Sequence, residues 1–200
     1  KTLKPGPWDN DGRLKIYQKD QLDLKKYKEL FLFSRKNKIN FFTSVMNLDG
    51  AKLVSKIQND LIKIPSMENT NYKLLNYCNK KFNKIFISTG TATFKEIMKI
   101  KKYINNKKLV ILHCTSSYPC KSEHLNLPKI KLLMKYYKSV GFSDHSCGID
   151  ASKISLNYNV KFIEKHFTIN KKLPGRDNKF AILPNELKDL KNFSIFYKKA

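Results

Sequence analysis

The sequence predicts an α/β fold with a parallel sheet, of the (β/α) barrel kind, on two observations. Short β-branched or aromatic runs recur at residues 39–45, 61–66, 85–89, 109–114, 139–145 and 160–167, with amphipathic segments between them. Runs of this kind read as strands buried on both faces. The runs also start 21 to 30 residues apart throughout, the length of one strand-helix unit repeated around a barrel, whereas a doubly wound sheet imposes no such regularity. Six runs are two short of the eight that close a barrel.

Each helix has its own signal. Leu24, Tyr27 and Phe31 mark one ahead of the first strand, and Leu53, Val54 and Ile57 mark another after it. Leu74, Leu75 and Cys78 follow the second run. Thr93 and Glu96 have capping-box spacing ahead of Ile97. Asn126 precedes Pro128 at the head of residues 130–137, and Pro184 opens a helix through Leu187 and Leu190. The predicted order is a helix, then six strand-helix units.

Composition narrows the class. Two hundred residues, 41% apolar and 12% aromatic, suffice for one core and one domain, residues 1–200. The net charge of +24 would indicate nucleic acid if clustered. It is spread along the chain, and 37 of the 40 basic residues are Lys, broken only by Arg13, Arg35 and Arg176 and accompanied by 19 Asn. Nucleic-acid surfaces mix in Arg for bidentate contacts, so the excess reads as compositional drift with no specific nucleic-acid partner.

No run of about 18 apolar residues exists, so a spanning helix and a membrane partner are not expected. Residues 1–12 lack the apolar stretch of a signal peptide, and the first residue is Lys rather than Met, as in a chain that begins inside a longer protein. Cys78, Cys114, Cys120 and Cys147 are widely spaced beside apolar runs, which predicts buried free thiols in a reducing cytoplasm.

Ligands of parallel α/β folds bind at the C-terminal ends of strands. Ser44, Ser66, Ser88 and Ser143 close the first, second, third and fifth runs, and Ser116 follows the fourth. One such Ser commonly serves a turn; five at one barrel mouth suggest a ring of neutral donors, with Gly90 letting backbone N–H groups approach a phosphate.

His145 and His166 end the last two runs 21 residues apart, one βα repeat, so they occupy equivalent points on adjacent strands. Ser143 shares parity with His145, and Glu164 with His166, so both rings can face the interior beside a hydroxyl and a carboxylate. That is metal-ligand placement, the alternative being a local hydrogen bond for each ring. His113 has the other parity and reads as structural, while His124 lies in a loop without an evident partner. Glu68, two residues beyond Ser66 on the same face, can act as acid or base. Asp177, after the turn at Pro174 and Gly175, can grip substrate hydroxyls, and for both carboxylates a solvated loop position is the alternative. Lys63, inside an apolar run, must pair with a buried carboxylate or hold an anion.

The strings KIPSME at 63–68, STGTA at 88–92, HCTSSYP at 113–119, GFSDHSCG at 141–148, EKHFT at 164–168 and PGRD at 174–177 resemble the sialic acid synthase family in order and spacing over residues 13–190. The resemblance implies a (β/α)8 TIM barrel and a transferase that condenses phosphoenolpyruvate with an N-acetylated hexosamine such as N-acetylmannosamine, with water, to a nonulosonic acid and phosphate. It assigns His145 and His166 to a divalent metal, manganese or magnesium. It assigns Lys63, Ser66, Ser88, Ser116 and Ser143 to phosphoenolpyruvate, Ser44 to substrate binding, Glu68 to catalysis, and Asp177 to the sugar. Lys63 and Ser66 alternate to opposite faces unless the strand bulges between them.

Departures from the family pattern are Thr43 to Met46 in place of Ser-Thr-Pro-Phe, Met67 for a common Gly, Ser116 where some members carry Asn, and Arg176 for Pro. The family also has two βα units ahead of those matched here and a small C-terminal antifreeze-like domain that reaches into a partner's site. Neither is present in this sequence, which is therefore expected to correspond to the last six units and to be inactive alone. The implied full-length protein is a cytoplasmic homodimer. Rival readings are a legionaminic or pseudaminic acid synthase, another enzyme joining phosphoenolpyruvate to a sugar, a basic nucleic-acid-binding module, and a barrel remnant without activity.

Overall fold

The computed structural model describes residues 22–175 and 177–199; residues 1–12, Arg13 and Arg176 lie outside the described residues. The chain divides into two compact units, Lys1–Phe42 and Thr43–Ala200. The first holds helix α1, Leu24–Lys36. Asp23 caps it by accepting from the Lys26 N–H at 2.7 Å, and Arg35 and Lys36 face the negative end of its dipole. Tyr27 packs against Phe41 at 5.3 Å.

The second unit carries the sheet. In chain order it contains α2 (Leu48–Val54), β1 (Leu61–Ile64), α3 (Tyr72–Lys81), β2 (Lys84–Ser88), α4 (Phe94–Lys99), β3 (Leu109–His113), α5 (Lys129–Met134), β4 (Val140–Asp144), α6 (Asp150–Ser155), β5 (Ile163–Lys165) and α7 (Pro184–Lys199). All neighbouring strands pair in parallel in the order β1-β2-β3-β4-β5. The predicted helices all form. The capping box at Thr93 is complete, with Glu96 N–H donating to Thr93 Oγ1 and Thr93 N–H donating to Glu96 Oε2.

Among the described residues five strands replace the six predicted. The 39–45 run is reduced to a bridge at Ser44, where Val45 N–H donates to the Lys63 carbonyl (3.0 Å) and Lys63 N–H to that of Thr43 (3.1 Å). Ile39 is 63% exposed, so the first part of that run lacks the burial that favours a strand. The last run shortens to Ile163–Lys165 and continues as a bridge from Phe167 to Ile182.

Paired residues in a parallel ladder point to the same side. The register therefore puts Ser44, Lys63, Phe86, Val110 and, one step on, Ser88, Leu112, Gly141, Ser143 and Glu164 on one face. Ile62, Ile64, Ile85, Ile87 and Ile111, none of them exposed, hold the other face with Phe142. The sheet curls around the first face. In a flat sheet β1 and β5 would be about 19 Å apart at a strand spacing near 4.8 Å, yet Lys63 of β1 pairs with Glu164 of β5. Phe86 of β2 likewise meets Phe162, just before β5, edge to face at 5.1 Å. Gly141 permits the curl, because a Cβ there would lie 2.6 Å from both Leu112 Cδ2 and the Phe162 carbonyl oxygen. The architecture is a partial (β/α) barrel.

Cys78, Cys114 and Cys120 are buried free thiols as predicted, but Cys147 is exposed. It lies beyond the end of β4, between Ser146 and Gly148, where no apolar layer covers it. No helix among the described residues is long and apolar enough to cross a membrane.

Candidate active site

Curling brings the ends of β1, β4 and β5 around a cavity of about 420 Å³ lined by Ser44, Lys63, Ser143, His145, Glu164 and His166. Lys63, Ser143 and Glu164 arrive by strand alternation, Ser44 by its bridge to Lys63, and His145 and His166 directly follow β4 and β5. A larger cavity, about 790 Å³, lies between the loop after β3 and α6 and carries none of the predicted site residues; the smaller one holds the chemistry.

Lys63 resolves its burial by ion-pairing with Glu164. The Ser143 hydroxyl is 2.7 Å from the same Glu164 Oε1 and 3.3 Å from His145 Nε2. A hydroxyl has one proton, and the shorter contact to a carboxylate takes it. His145 Nδ1 is 2.8 Å from the Thr115 carbonyl, which can only accept, so Nδ1 carries the ring proton and the Nε2 lone pair is left for a ligand. The two imidazoles lie 5.6 Å apart, centroid to centroid. Burial lowers the pKa of both, opposed by the Thr115 hydrogen bond at His145 and by the Asp177 carboxylate at His166. Both rings are thus held toward the neutral form that a metal ligand needs.

Among the described residues no group of three or more His, Cys, Asp or Glu side chains forms a metal cluster. Two neutral imidazoles, with a free Nε2 at His145, fit two positions of a divalent-ion coordination sphere, the others filled by oxygen ligands from water or substrate.

The remaining predicted residues form separate groups. Ser66 accepts the Gly90 N–H at 3.0 Å and lies 3.4 Å from Cys114 Sγ. The Gly90 N–H is therefore committed to Ser66 rather than open to a phosphate. A Cβ on Gly90 would fall 2.3 Å from Ser116 Oγ and 2.9 Å from Cys114 Sγ, so glycine is required for close packing. Ser88 Oγ is buried without a hydrogen-bond partner. The parity conflict between Lys63 and Ser66 needs no bulge, because the strand ends at Ile64 and Ser66–Glu68 is a turn of 3-10 helix. The same turn removes the strand argument that put Glu68 on the face of Ser66. Glu68 accepts from Asn71 Nδ2 at 2.9 Å and lies outside the six lining residues named above. Asp177 lies 3.7 Å from His166 Nδ1 and shares with it an adjoining cavity of about 210 Å³.

His113 is structural, its Nε2 bonding the Leu125 carbonyl at 2.8 Å. His124 Nε2 lies 3.8 Å from Oε1 of Glu123, the residue before it in the chain, and both side chains are exposed. Sequence reasoning missed Tyr118, whose ring lies 4.3 Å from His145 and 5.8 Å from His166 and roofs the pair. A loop residue carries no periodic signal, and only its place inside the HCTSSYP string marked it.

A sequence profile of the NeuB family matches residues 2–199. The chain belongs to the NeuB family. Among NeuB relatives it is 36% identical to the N,N'-diacetyllegionaminic acid synthase of Campylobacter jejuni over 188 residues, 91% of this chain and 56% of that protein. It is 29% identical to the pseudaminic acid synthase of Helicobacter pylori over 187 residues, 92% of this chain and 55% of that protein. The crystal structure of N-acetylneuraminic acid synthetase from Leptospira borgpetersenii matches with a TM-score of 0.89 and 29% identity, covering 96% of this chain and 68% of that one. The chain spans about half the length of the curated relatives it matches.

Proposed function

We propose that this protein condenses phosphoenolpyruvate with an N-acetylated hexosamine to give a nonulosonic acid and phosphate. The observation that carries the reading is the convergence of Lys63, Ser143, His145, Glu164 and His166 in one cavity at the strand ends, where parallel α/β sheets bind ligands. Membership of the NeuB family supports the substrate class. The same reading takes the five strands and the Ser44 bridge as the larger part of an eight-unit barrel, in a cytoplasmic homodimer.

An ammonium has three donors, and the contact to Glu164 uses one, so Lys63 has donors left for an oxygen of the anion. Ser44 adds a neutral donor, Ser143 steadies the Glu164 carboxylate beside the anion, and Ser66, Ser88 and Ser116 extend the donors along the strand ends. In the reaction C3 of phosphoenolpyruvate bonds to the sugar carbonyl carbon, whose oxygen takes a proton. Water adds at C2 of the resulting oxocarbenium centre, and phosphate leaves. A divalent ion, manganese or magnesium, held by His145 and His166 would supply Lewis-acid polarisation of the sugar carbonyl. Glu68 serves as acid or base on the sugar, and Asp177 holds its hydroxyls. Neutral and cationic donors fixed on strands position the reactants without reorganisation.

Two sugars compete, N-acetylmannosamine and a hexose with two acetamido groups. The 36% identity to the Campylobacter legionaminic acid synthase favours the second. Mass spectrometry of the product from phosphoenolpyruvate and a panel of mono- and diacetamido hexoses tests both levels. A nonulosonic acid from the diacetamido sugar is expected. Product from the monoacetamido sugar alone would correct the sugar, and no condensation product with any sugar would overturn the function.

A further inference from the structure

We propose that Asp144 and Lys165 form the positioning element that sets His145 and His166 as a pair. The proposal rests on the reading of those histidines as ligands of a divalent ion. Asp144 and Lys165 are direct register partners at the ends of β4 and β5, and each immediately precedes one histidine. Alternation turns their side chains away from Ser143, His145, Glu164 and His166. There Lys165 Nζ lies 2.9 Å from Asp144 Oδ2, with side-chain exposures of 5% and 0%.

The Asp144 carboxylate is fully engaged. Its Oδ1 accepts from the Ser146 N–H at 2.8 Å and the Ser146 hydroxyl at 2.6 Å, and its Oδ2 accepts from the Ser152 hydroxyl at 2.6 Å as well as from Lys165. Lys165 also donates to the Ser146 carbonyl. The bond from Ser146 N–H back to Asp144 closes a two-residue turn around His145, which fixes the backbone that aims its ring. The ion pair then ties that turn to the residue before His166. One carboxylate thus constrains both imidazoles, and Ser152 anchors it to α6.

Burying two charges usually stabilises less than an apolar pair of the same volume would. Stability alone is therefore a poor reason for charges at this point, and a geometric task is the better one. A merely structural pair and a positioning pair respond differently when both charges are removed together.

The test is a Mn2+ titration followed by electron paramagnetic resonance, with thermal melting, on the natural full-length protein and two variants. In Asp144→Asn/Lys165→Met no buried charge is orphaned. Asp144→Glu keeps both charges but moves the carboxylate by one methylene out of the turn. The expected result is near-native melting for the double variant with Mn2+ affinity about 10- to 100-fold weaker, the range for lost outer-sphere partners of metal ligands, and weakened affinity in Asp144→Glu. Native Mn2+ affinity in either folded variant would overturn the proposal while leaving the function intact. Loss of the fold in both variants would make the pair a folding element and overturn it too. No Mn2+ binding by the unaltered protein would instead refute the metal reading, and the proposal would fall with it.

Discussion

Lys63 on the first strand of the sheet and Glu164 on the last form an ion pair, 101 positions apart in the chain. The contact spans the inside of the curl and places a cation and an anion at the mouth of one cavity. Glu164 is 35% exposed and can rehydrate, so Lys63→Met is expected to change stability by about 1 kcal/mol or less. Loss of a charge-assisted contact to an anionic substrate should raise KM for phosphoenolpyruvate by about 10- to 100-fold. Melting curves and initial rates check both, and an unchanged KM would remove Lys63 from substrate binding.

Ser88 gives a prediction in which stability and binding move differently. Its hydroxyl is buried and unpartnered, so it contributes desolvation cost without a compensating bond. Ser88→Ala is expected to leave the melting temperature unchanged or raise it, while weakening phosphoenolpyruvate binding. Calorimetric titration alongside melting checks the pair of outcomes. Destabilisation with native affinity would show a structural hydroxyl.

His145→Ala and His166→Ala should each abolish metal-dependent turnover, a loss of at least 100-fold, whereas His124→Ala should not. The first two face each other across 5.6 Å inside the cavity, while His124 is exposed beside Glu123. Rates with and without added Mn2+ decide it. A fully active variant at either of the first two positions under chelation would take the metal out of the mechanism.

Buried His113 makes stability depend on pH. Burial lowers its pKa below the ordinary value, with the hydrogen bond to Leu125 opposing and Lys129 reinforcing the shift. Its Nδ1 is buried without a partner, so a proton added there would find no acceptor. The folded state binds this proton less readily than the unfolded chain. Its stabilising contribution is therefore complete above the unfolded value, about 6.5, and declines as pH falls through and below that point. His113→Gln, which can keep a donor to the Leu125 carbonyl, should flatten this part of the stability profile in denaturant unfolding between about pH 5 and pH 7. A profile as steep as that of the unaltered protein would assign the dependence elsewhere.

The elements legible in the sequence were those whose signal is local. Leu109 through His113 is buried throughout and forms β3, and Thr93 with Glu96 forms the expected capping box. The alternation of Ser143 with His145 and of Glu164 with His166 predicted a shared cavity correctly, because register propagates parity across a parallel ladder. Glu68 escaped that logic once Pro65 ended the strand and a 3-10 turn began. The Ile39 run looked like a full strand by residue type, but β formation depends on burial and pairing rather than type alone. The Asp144–Lys165 pair was invisible because it joins outward-facing positions on two strands, 21 residues apart.

The central claim is that this cavity joins phosphoenolpyruvate to an acetamido sugar. The most direct test is phosphate release from phosphoenolpyruvate by the natural full-length protein, measured with Mn2+ in the presence and absence of the diacetamido hexose. The account predicts release that requires both sugar and metal and is lost in His145→Ala. Release at the same rate without sugar, or none with any acetamido hexose supplied, would contradict it.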